Sequence, residues 1–369
     1  MALIIFTTAS FVEKPAKEAF FWDCCGIFLW KFLWKFLTKL VIKMSAFDSQ
    51  TIKRKVVISK LLGLMTLAFM VGCQQQSSVE SDSNASPNAA DPTQTITHAM
   101  GSTEVPILRS PRVVTIDTGP LDAALALDID PVGTIRYGSP PAYLGQRAAN
   151  IPVIGQYNQP SIEGILRLNP HLILGSKSIS ASIYPQLLAI APTVFVEGAG
   201  FDWKWKDNFK LFAQALGLSE KAEQLLSDYE MNVSTLKQSL NAELKDIKVS
   251  ILVLTEEGII AQTPRSFSGS ILKEIGFSRN SIQSNEDQFF VQISREDIES
   301  PDGDVIFLIY SPHWDAGSAE ELTNDPLLSN LNAVKNGLVC EVAGDVWSAG
   351  RGILAAQTIL DDVEKCFEK

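Results

Sequence analysis

Residues 219–244, SEKAEQLLSDYEMNVSTLKQSLNAEL, decide the fold of this chain. Apolar residues recur every three or four positions through the stretch, from Ala222 to Leu244. That spacing places them on one face and predicts a single amphipathic helix about 39 Å long. Ser219 is a suitable N-cap, and Glu220 lies in the first turn, where the helix dipole favours an acidic side chain.

Short apolar strands alternate with helix-like runs on both sides of this segment. PRVVTI (111–116) is strand-like on the N-terminal side, and VSILVL (249–254) opens the C-terminal side in the same way. Such alternation predicts parallel α/β packing. The folded part is therefore predicted to be α/β, with two Rossmann-like lobes joined by one long α-helix. Two facing lobes leave a cleft, the usual setting for a small-molecule site.

Composition limits the possible functions. The chain has 369 residues, 46% of them hydrophobic, which suffices for one large domain or two ordinary ones. Its formal net charge is −11, which argues against a nucleic-acid partner because phosphate binding requires a basic surface. The sequence has no GxSxG, HExxH or P-loop motif, so an extracytoplasmic enzyme is the least favoured function.

Residues 44–73 have the pattern of a secretory signal. Three basic residues at 53–55 precede an apolar stretch that starts at Leu61 and ends in MVGC at Cys73. This ending resembles the lipobox of bacterial lipoproteins, in which the cysteine is lipidated and anchors the protein without a spanning helix. A plain signal peptide or an uncleaved anchor is the alternative interpretation. Which membrane would hold the anchor stays open.

The segments that flank this signal have different compositions. Residues 20–42 are apolar with lysines at four-residue spacing and could form an interfacial helix. Alternatively, translation starts at Met44, in which case residues 1–43 are an upstream extension of the reading frame and are not part of the protein. Residues 74–105 are rich in Ser, Asn, Gln, Asp and Pro, which predicts a disordered tether. The remaining predicted boundaries are an N-terminal lobe at 106–218, a linker helix at 219–246 and a C-terminal lobe at 247–369.

Cysteines and histidines indicate no metal centre. Cys340 and Cys366 are the two cysteines within the folded part, and both a disulfide and two separate thiols are compatible with the sequence. The three histidines, His98, His171 and His313, are dispersed along the chain. Direct metal binding would require several converging ligands, which these dispersed residues do not supply.

The order of seven segments resembles one known family. They include SIEGILRLNPHLIL (161–174), ISREDIESPDGDVIFLI (293–309) and DPLLSNLNAVKNGLVCEVAGDVW (325–347). From about Pro111 to the C-terminus the sequence is similar to the periplasmic binding proteins of iron-siderophore, haem and cobalamin ABC importers. The resemblance implies the class III, helical-backbone fold with little lobe closure. It also implies a bacterial, extracytoplasmic, monomeric binding protein with neither enzymatic activity nor a cofactor.

The same resemblance assigns a docking role to two glutamates. In that family one glutamate on each lobe binds arginines of the permease dimer, and Glu163 and Glu296 occupy the matching positions. Two exposed carboxylates at a fixed separation suit two cationic pockets. Without the resemblance, each would read as a first-turn helix glutamate that the helix dipole favours.

Loops that follow the predicted strands supply the candidates for a ligand site. Arginine offers charge and forked donors to an anionic chelate, and aromatic faces offer flat apolar contact. The candidates are Arg136, Tyr137, Tyr157, Trp203, Trp205, Arg265, Phe267, Tyr310, His313, Trp314, Trp347 and Arg351. A surface salt bridge or lobe packing is the alternative role for each of them.

A ferric siderophore is the expected ligand. Haem, for which Tyr310 or His313 could be an axial ligand, and cobalamin stay open as alternatives. A sensor lipoprotein that binds the same ligand for signalling is also compatible with the sequence.

Overall fold

The computed structural model describes residues 92–368, except 137, 199–201, 241–243, 256–257, 295–296, 298–301, 311–319, 321–323 and 327. These residues belong to a single compact unit. The strands are β1 Thr93–His98, β2 Gly101–Pro106, β3 Val113–Thr115, β4 Gly133–Arg136, β5 Val153–Gln156, β6 Gln159–Pro160, β7 Leu172–Ser176, β8 Thr193–Val196, β9 Val249–Thr255, β10 Gly258–Gln262, β11 Phe290–Ile293, β12 Val305–Tyr310 and β13 Val339–Ala343. The α-helices are α1 Thr118–Ala126, α2 Gly145–Asn150, α3 Ile162–Arg167, α4 Lys177–Ser180, α5 Tyr184–Leu188, α6 Trp205–Ala215, α7 Ser219–Ser239, α8 Phe267–Ile275, α9 Asn332–Lys335, α10 Gly344–Trp347 and α11 Ile353–Phe367.

The N-terminal half contains a six-stranded sheet in the order β6-β5-β4-β3-β7-β8. All neighbouring strands in it are parallel except the β5–β6 pair at the edge. The chain starts at β3 in the middle, proceeds to β4 and β5 on one side, and then continues to β7 and β8 on the other. The loop after β3 therefore lies where the strand order reverses, which is where open α/β sheets form ligand crevices.

The C-terminal half contains a five-stranded sheet in the order β11-β10-β9-β12-β13. Strands β9, β12 and β13 are parallel, and β10 and β11 extend the sheet in antiparallel fashion. Two sheets with parallel cores, one on each side of a long helix, confirm the predicted α/β fold class.

Helix α7 connects the two sheets. It buries Ala222, Leu226, Tyr229, Val233 and Leu236, so the spacing of three and four in the sequence corresponds to one buried face. The helix ends at Ser239, earlier than predicted. Leu240 and Leu244 continue the apolar spacing beyond it, and they pack against the core from outside the helix. Among the described residues, no helix combines the length and the apolar character that crossing a bilayer requires.

One apolar core surrounds this linker helix on both sides. Trp205 from α6 packs edge-on against Tyr229 of α7 and against Phe267 of α8, with ring centroids 5.0 and 6.0 Å apart. The same buried cluster continues to Trp347 and to helix α11. Because residues of both halves share a single packed core, a large rotation between the halves would open cavities, which favours small lobe movements.

The predicted tether at 74–105 is wrong over its last part. Strands β1 and β2 form an antiparallel hairpin that buries Ile96 and Val105. His98, which the sequence placed in a linker, ends β1, and its Nδ1 accepts the N–H of Phe195 at 3.3 Å. The average composition of residues 74–105 is polar, so it did not indicate two short strands with alternating side chains, each of which places one large apolar residue in the core.

The pairing of Cys340 and Cys366, left open by the sequence, is resolved. Cys340 lies in β13 and Cys366 near the end of α11, and the two form a disulfide with a Cα–Cα distance of 5.9 Å. The bond ties the last helix to the edge strand of the C-terminal sheet. A buried disulfide fits a protein that folds in an oxidising compartment.

Candidate functional site

Two adjoining cavities lie between the halves. The larger, about 430 Å³, is lined by Thr118, Leu121, Thr134, Ile135, Arg136, Ser139, Pro140, Pro141, Ala142, Ala148, Tyr310, Glu341, Val342, Ala343, Gly344, Asp345 and Ala349. The smaller, about 260 Å³, is lined by Thr118, Tyr157, Asp202, Gln262, Ser266, Phe267, Phe289, Trp347, Ser348, Ala349 and Arg351. Thr118 and Ala349 line both cavities, and the Thr118 hydroxyl donates to the Ala349 carbonyl at 3.1 Å. The cleft is therefore divided by a contact between the two halves.

The ends of parallel strands position the polar groups of the cleft. In the N-terminal half, Asp117 follows β3 and caps α1, Arg136 ends β4, and Tyr157 follows β5. Asp202 begins a short 3-10 turn after β8. In the C-terminal half, Tyr310 ends β12. Because the carboxyl ends of parallel strands meet at one edge of a sheet, residues far apart in sequence converge here.

Arg351 crosses from the C-terminal half to the N-terminal half. Its Nε donates to Asp202 Oδ1 at 2.9 Å, and its Nη1 lies 3.6 Å from Asp117 Oδ1 and 3.3 Å from the Thr118 hydroxyl. It also hydrogen-bonds the Tyr157 hydroxyl. Burial alone would lower the pKa of this guanidinium, but the two carboxylates raise it, so Arg351 is fully charged.

A second contact between the halves involves a buried carboxylate. Asp122 of α1 accepts the N–H groups of Leu354 and Ala355, at 3.1 and 3.0 Å, in the first turn of α11. Burial raises the pKa of the Asp122 carboxyl to about 6, although these backbone donors lower it. Asp122 thus satisfies donors that a helix start would otherwise leave unpaired.

Arg136 and Arg265 differ from Arg351 in their partners. Arg136 Nη2 donates to the Ala149 carbonyl at 3.0 Å, and Arg265 Nη1 donates to the Glu286 carbonyl at 3.2 Å. Within the described part of the chain, neither guanidinium forms an ion pair with a carboxylate. One lies in each half, and both are only partly buried. Arg136 lines the larger cavity, whereas Arg265 lines neither cavity and, after Lys273, contributes to lowering the pKa of the Glu286 carboxyl.

The predicted aromatic residues separate into three groups. Trp203 is 40% exposed, and the Arg265 guanidinium lies 5.4 Å from the centroid of its ring. Phe267 and Trp347 line the smaller cavity although most of each side chain is in the core. Trp205 is buried in the core and lines neither cavity, so its prediction as a ligand residue is corrected to a packing role. It reads as a loop residue in the sequence but begins helix α6.

Several predicted positions lie outside the described residues: Cys73, Tyr137, Glu296, His313 and Trp314. Glu163 is described, and it lies in the first turn of α3 with its side chain 89% exposed. Its carboxylate is 3.8 Å from Arg167 one turn later, a weak pair that leaves it accessible to a partner.

The sequence analysis missed three acidic residues that shape the cleft: Asp117, Asp122 and Asp202. Asp117 had a recognisable signal, since an aspartate between a strand and a helix is a typical N-cap. Asp122 and Asp202 had none, because their partners lie more than a hundred residues away in sequence.

No metal centre is evident in the ranges that the structure describes. Among those residues, no group of three or more His, Cys, Asp or Glu side chains converges in a way that could hold a metal ion. The two cavities offer a small molecule apolar walls together with charged groups of both signs, Arg136 and Arg351 and the carboxylates of Asp202, Glu341 and Asp345.

Two α/β halves on one helix, with a cleft at their strand ends, define a solute-binding protein of the helical-backbone type. The family described as periplasmic binding protein matches residues 113–345, and the chain belongs to this family. The fold and the family resemblance predicted from the sequence are confirmed.

Curated relatives have related descriptions. The chain is 35% identical over 319 residues to the probable siderophore-binding lipoprotein YfiY of Bacillus subtilis. The aligned region covers 83% of this chain and 96% of that protein. It is 32% identical over 264 residues to the achromobactin-binding periplasmic protein of Dickeya dadantii, covering 69% and 85% of the two chains. Among solved structures, Staphylococcus aureus SirA complexed with staphyloferrin B matches with a TM-score of 0.64 and 30% identity, over 75% of this chain and 99% of that one.

Proposed function

We propose that this chain is an extracytoplasmic lipoprotein that captures an anionic ferric siderophore between its two halves and delivers it to an ABC transporter permease dimer. The observation that carries the proposal is Arg136, which lines the larger cavity and forms no ion pair with a described carboxylate. Arginine donors match the carboxylate, catecholate or hydroxamate oxygens of iron chelates.

The volume of the larger cavity is compatible with a bound small-molecule chelate. The larger cavity, at about 430 Å³, is within the usual range for small-molecule sites. Its wall combines apolar residues such as Leu121 and Val342 with Arg136 and with two acidic residues, Glu341 and Asp345. A chelator that already encloses the iron needs such a surface and no protein ligand to the metal.

The named relatives favour this cargo over haem or cobalamin. YfiY is described as siderophore-binding, the Dickeya protein as achromobactin-binding, and SirA was solved with staphyloferrin B. A chain with 30–35% identity to these proteins is expected to bind a related chelate.

Membrane anchoring and docking complete the proposal. Lipidation of Cys73 would hold the protein at the membrane, and Glu163 with Glu296 would bind the permease. The exposure of Glu163 supports this role, because a docking carboxylate has to reach its partner. In whole cells, Glu163→Ala combined with Glu296→Ala should abolish uptake while leaving ligand affinity intact. Unchanged uptake would refute the docking assignment.

Tryptophan fluorescence tests the ligand class. The chain from Gln74 onward is titrated with ferric citrate, ferric catecholate and ferric hydroxamate complexes, with the metal-free chelators, and with haem and cobalamin. Trp347, which lines the smaller cavity, should report saturable quenching by one ferric chelate and a weaker response to its metal-free form. Equal responses to all compounds, or no response, would discard the proposal.

Substitutions locate the site. Arg136→Gln should lower the affinity about tenfold or more, since a charged hydrogen bond contributes roughly 1.5–3 kcal/mol. Arg147→Gln is the matched control, because this arginine lines neither cavity and pairs with Asp128 and Asp130 on the surface. Its affinity should equal that of the unmodified protein.

A further inference from the structure

The Arg351 side chain is enclosed together with two carboxylates at the boundary of the halves. Its side chain is 18% exposed, that of Asp202 is 15% exposed and that of Asp117 only 3%. Charges that are shielded from water in this way interact strongly with one another and with any charge placed beside them. Asp202 and Arg351 line the smaller cavity and Asp117 is buried behind them, so loss of the Arg351 charge would make this cluster more negative by one unit.

The backbone next to Arg351 holds the side chain in this position. A Cβ atom at Gly350 would lie 2.2 Å from the Val346 carbonyl oxygen, and one at Gly352 would lie 2.2 Å from Cγ of Asp122. Gly352 therefore lets this segment approach Asp122 of the N-terminal half closely, whereas Gly350 lets the chain pass close to α10 of its own half.

We infer that Arg351 is a positioning residue of the cleft: it offsets the charges of Asp117 and Asp202 and so allows an anionic iron chelate to enter the adjoining cavities. This inference rests on the proposed function and assigns Arg351 a role different from direct ligand contact. Under the proposed function Arg136, which lines the larger cavity, contacts the ligand, whereas the charge of Arg351 is already matched by protein carboxylates.

A charge-rescue experiment separates the two roles. The probes are ferric citrate and a ferric tris-catecholate, both anionic, titrated by tryptophan quenching against the chain from Gln74 onward. The variants are Arg351→Gln, Arg351→Lys and the triple variant Arg351→Gln, Asp117→Asn, Asp202→Asn. Asparagine keeps the shape of aspartate and is an equally good N-cap, so the triple variant retains the cap of α1.

The inference predicts a specific order of affinities. Arg351→Gln should weaken binding about tenfold, the effect expected of one uncompensated like charge roughly 10 Å from the ligand. Arg351→Lys should remain close to the unmodified protein. The triple variant should recover most of the loss, because it removes the repelling carboxylates together with the arginine.

Other outcomes overturn the inference in distinguishable ways. If Arg351 contacts the ligand directly, the triple variant stays as weak as Arg351→Gln. If its role is only to hold the halves together, each variant loses free energy of unfolding in guanidinium and affinity in parallel. The Arg147→Gln, Asp128→Asn, Asp130→Asn variant, which neutralises a similar surface cluster, should change neither quantity. An unmodified protein that binds neither probe would contradict the proposed function itself.

Discussion

The Cys340–Cys366 disulfide offers a quantitative test of the structure. The two cysteines are 26 positions apart, and closing a loop of that length lowers the entropy of the unfolded chain enough to stabilise the fold by about 3.5 kcal/mol. Replacing both by alanine should therefore lower the free energy of unfolding by about 3–4 kcal/mol. Guanidinium unfolding followed by tryptophan fluorescence measures this difference in the chain from Gln74 onward, which contains no other cysteine.

Single variants provide the control. If the sulfurs are bonded, Cys340→Ala or Cys366→Ala alone should cost nearly as much as the double variant, since either change removes the same bond. Reduced, unmodified protein should match the double variant, and its mass should exceed that of the oxidised protein by two hydrogens. Single effects that add to the double effect within about 0.5 kcal/mol, or an unchanged mass on reduction, would refute the bond.

Three further changes probe the contacts described above. The folded-state pKa of Asp122, about 6, exceeds its unfolded value of 3.8, so protonation of this carboxyl favours the folded state. The free energy of unfolding of the unmodified protein minus that of Asp122→Asn, both from chemical unfolding, should therefore increase as pH falls from about 7 to about 4. Trp347→Phe keeps an aromatic ring at this position but loses the hydrogen bond from the indole N–H to Asp362 at 3.0 Å. Thermal unfolding should show that the free energy of unfolding falls by about 1–3 kcal/mol. Gly155→Ala introduces a Cβ 2.4 Å from the Gln159 carbonyl oxygen at a residue with a φ of +144°, so it should lower the free energy of unfolding by at least about 1–3 kcal/mol. For each of these three variants, an unchanged stability would contradict the contact on which the prediction rests.

The periodic parts of the sequence predicted the fold well. Helix α7 was predictable because its apolar face repeats over 21 residues and no competing pattern interrupts it. The hairpin of β1 and β2 was not, because each strand contributes one large buried residue, Ile96 or Val105, to an otherwise polar segment. Averaged composition cannot detect a strand that is fixed in place by the sheet and helix against which it packs.

The site was only partly predictable, for a different reason. Arg351 was correctly placed at the cleft, since it follows a strand in the C-terminal half. Its partners Asp117 and Asp202 lie 234 and 149 positions earlier, and no local pattern connects them to it. Trp205 shows the opposite error, because an aromatic residue after a strand resembles a loop residue until the helix that begins there is known. Tertiary contacts, not local patterns, decide which polar residues share a cleft.

Locating the iron in a crystal of the complex tests the central claim most directly. The protein would be crystallised with the ferric chelate that quenches its fluorescence, and anomalous diffraction would be collected at the iron absorption edge. The account predicts one strong anomalous peak between the halves, in the cleft bordered by Arg136 and Arg351, without a protein side chain bonded to the metal. A peak on the outer surface, or iron bonded directly to protein side chains, would contradict it.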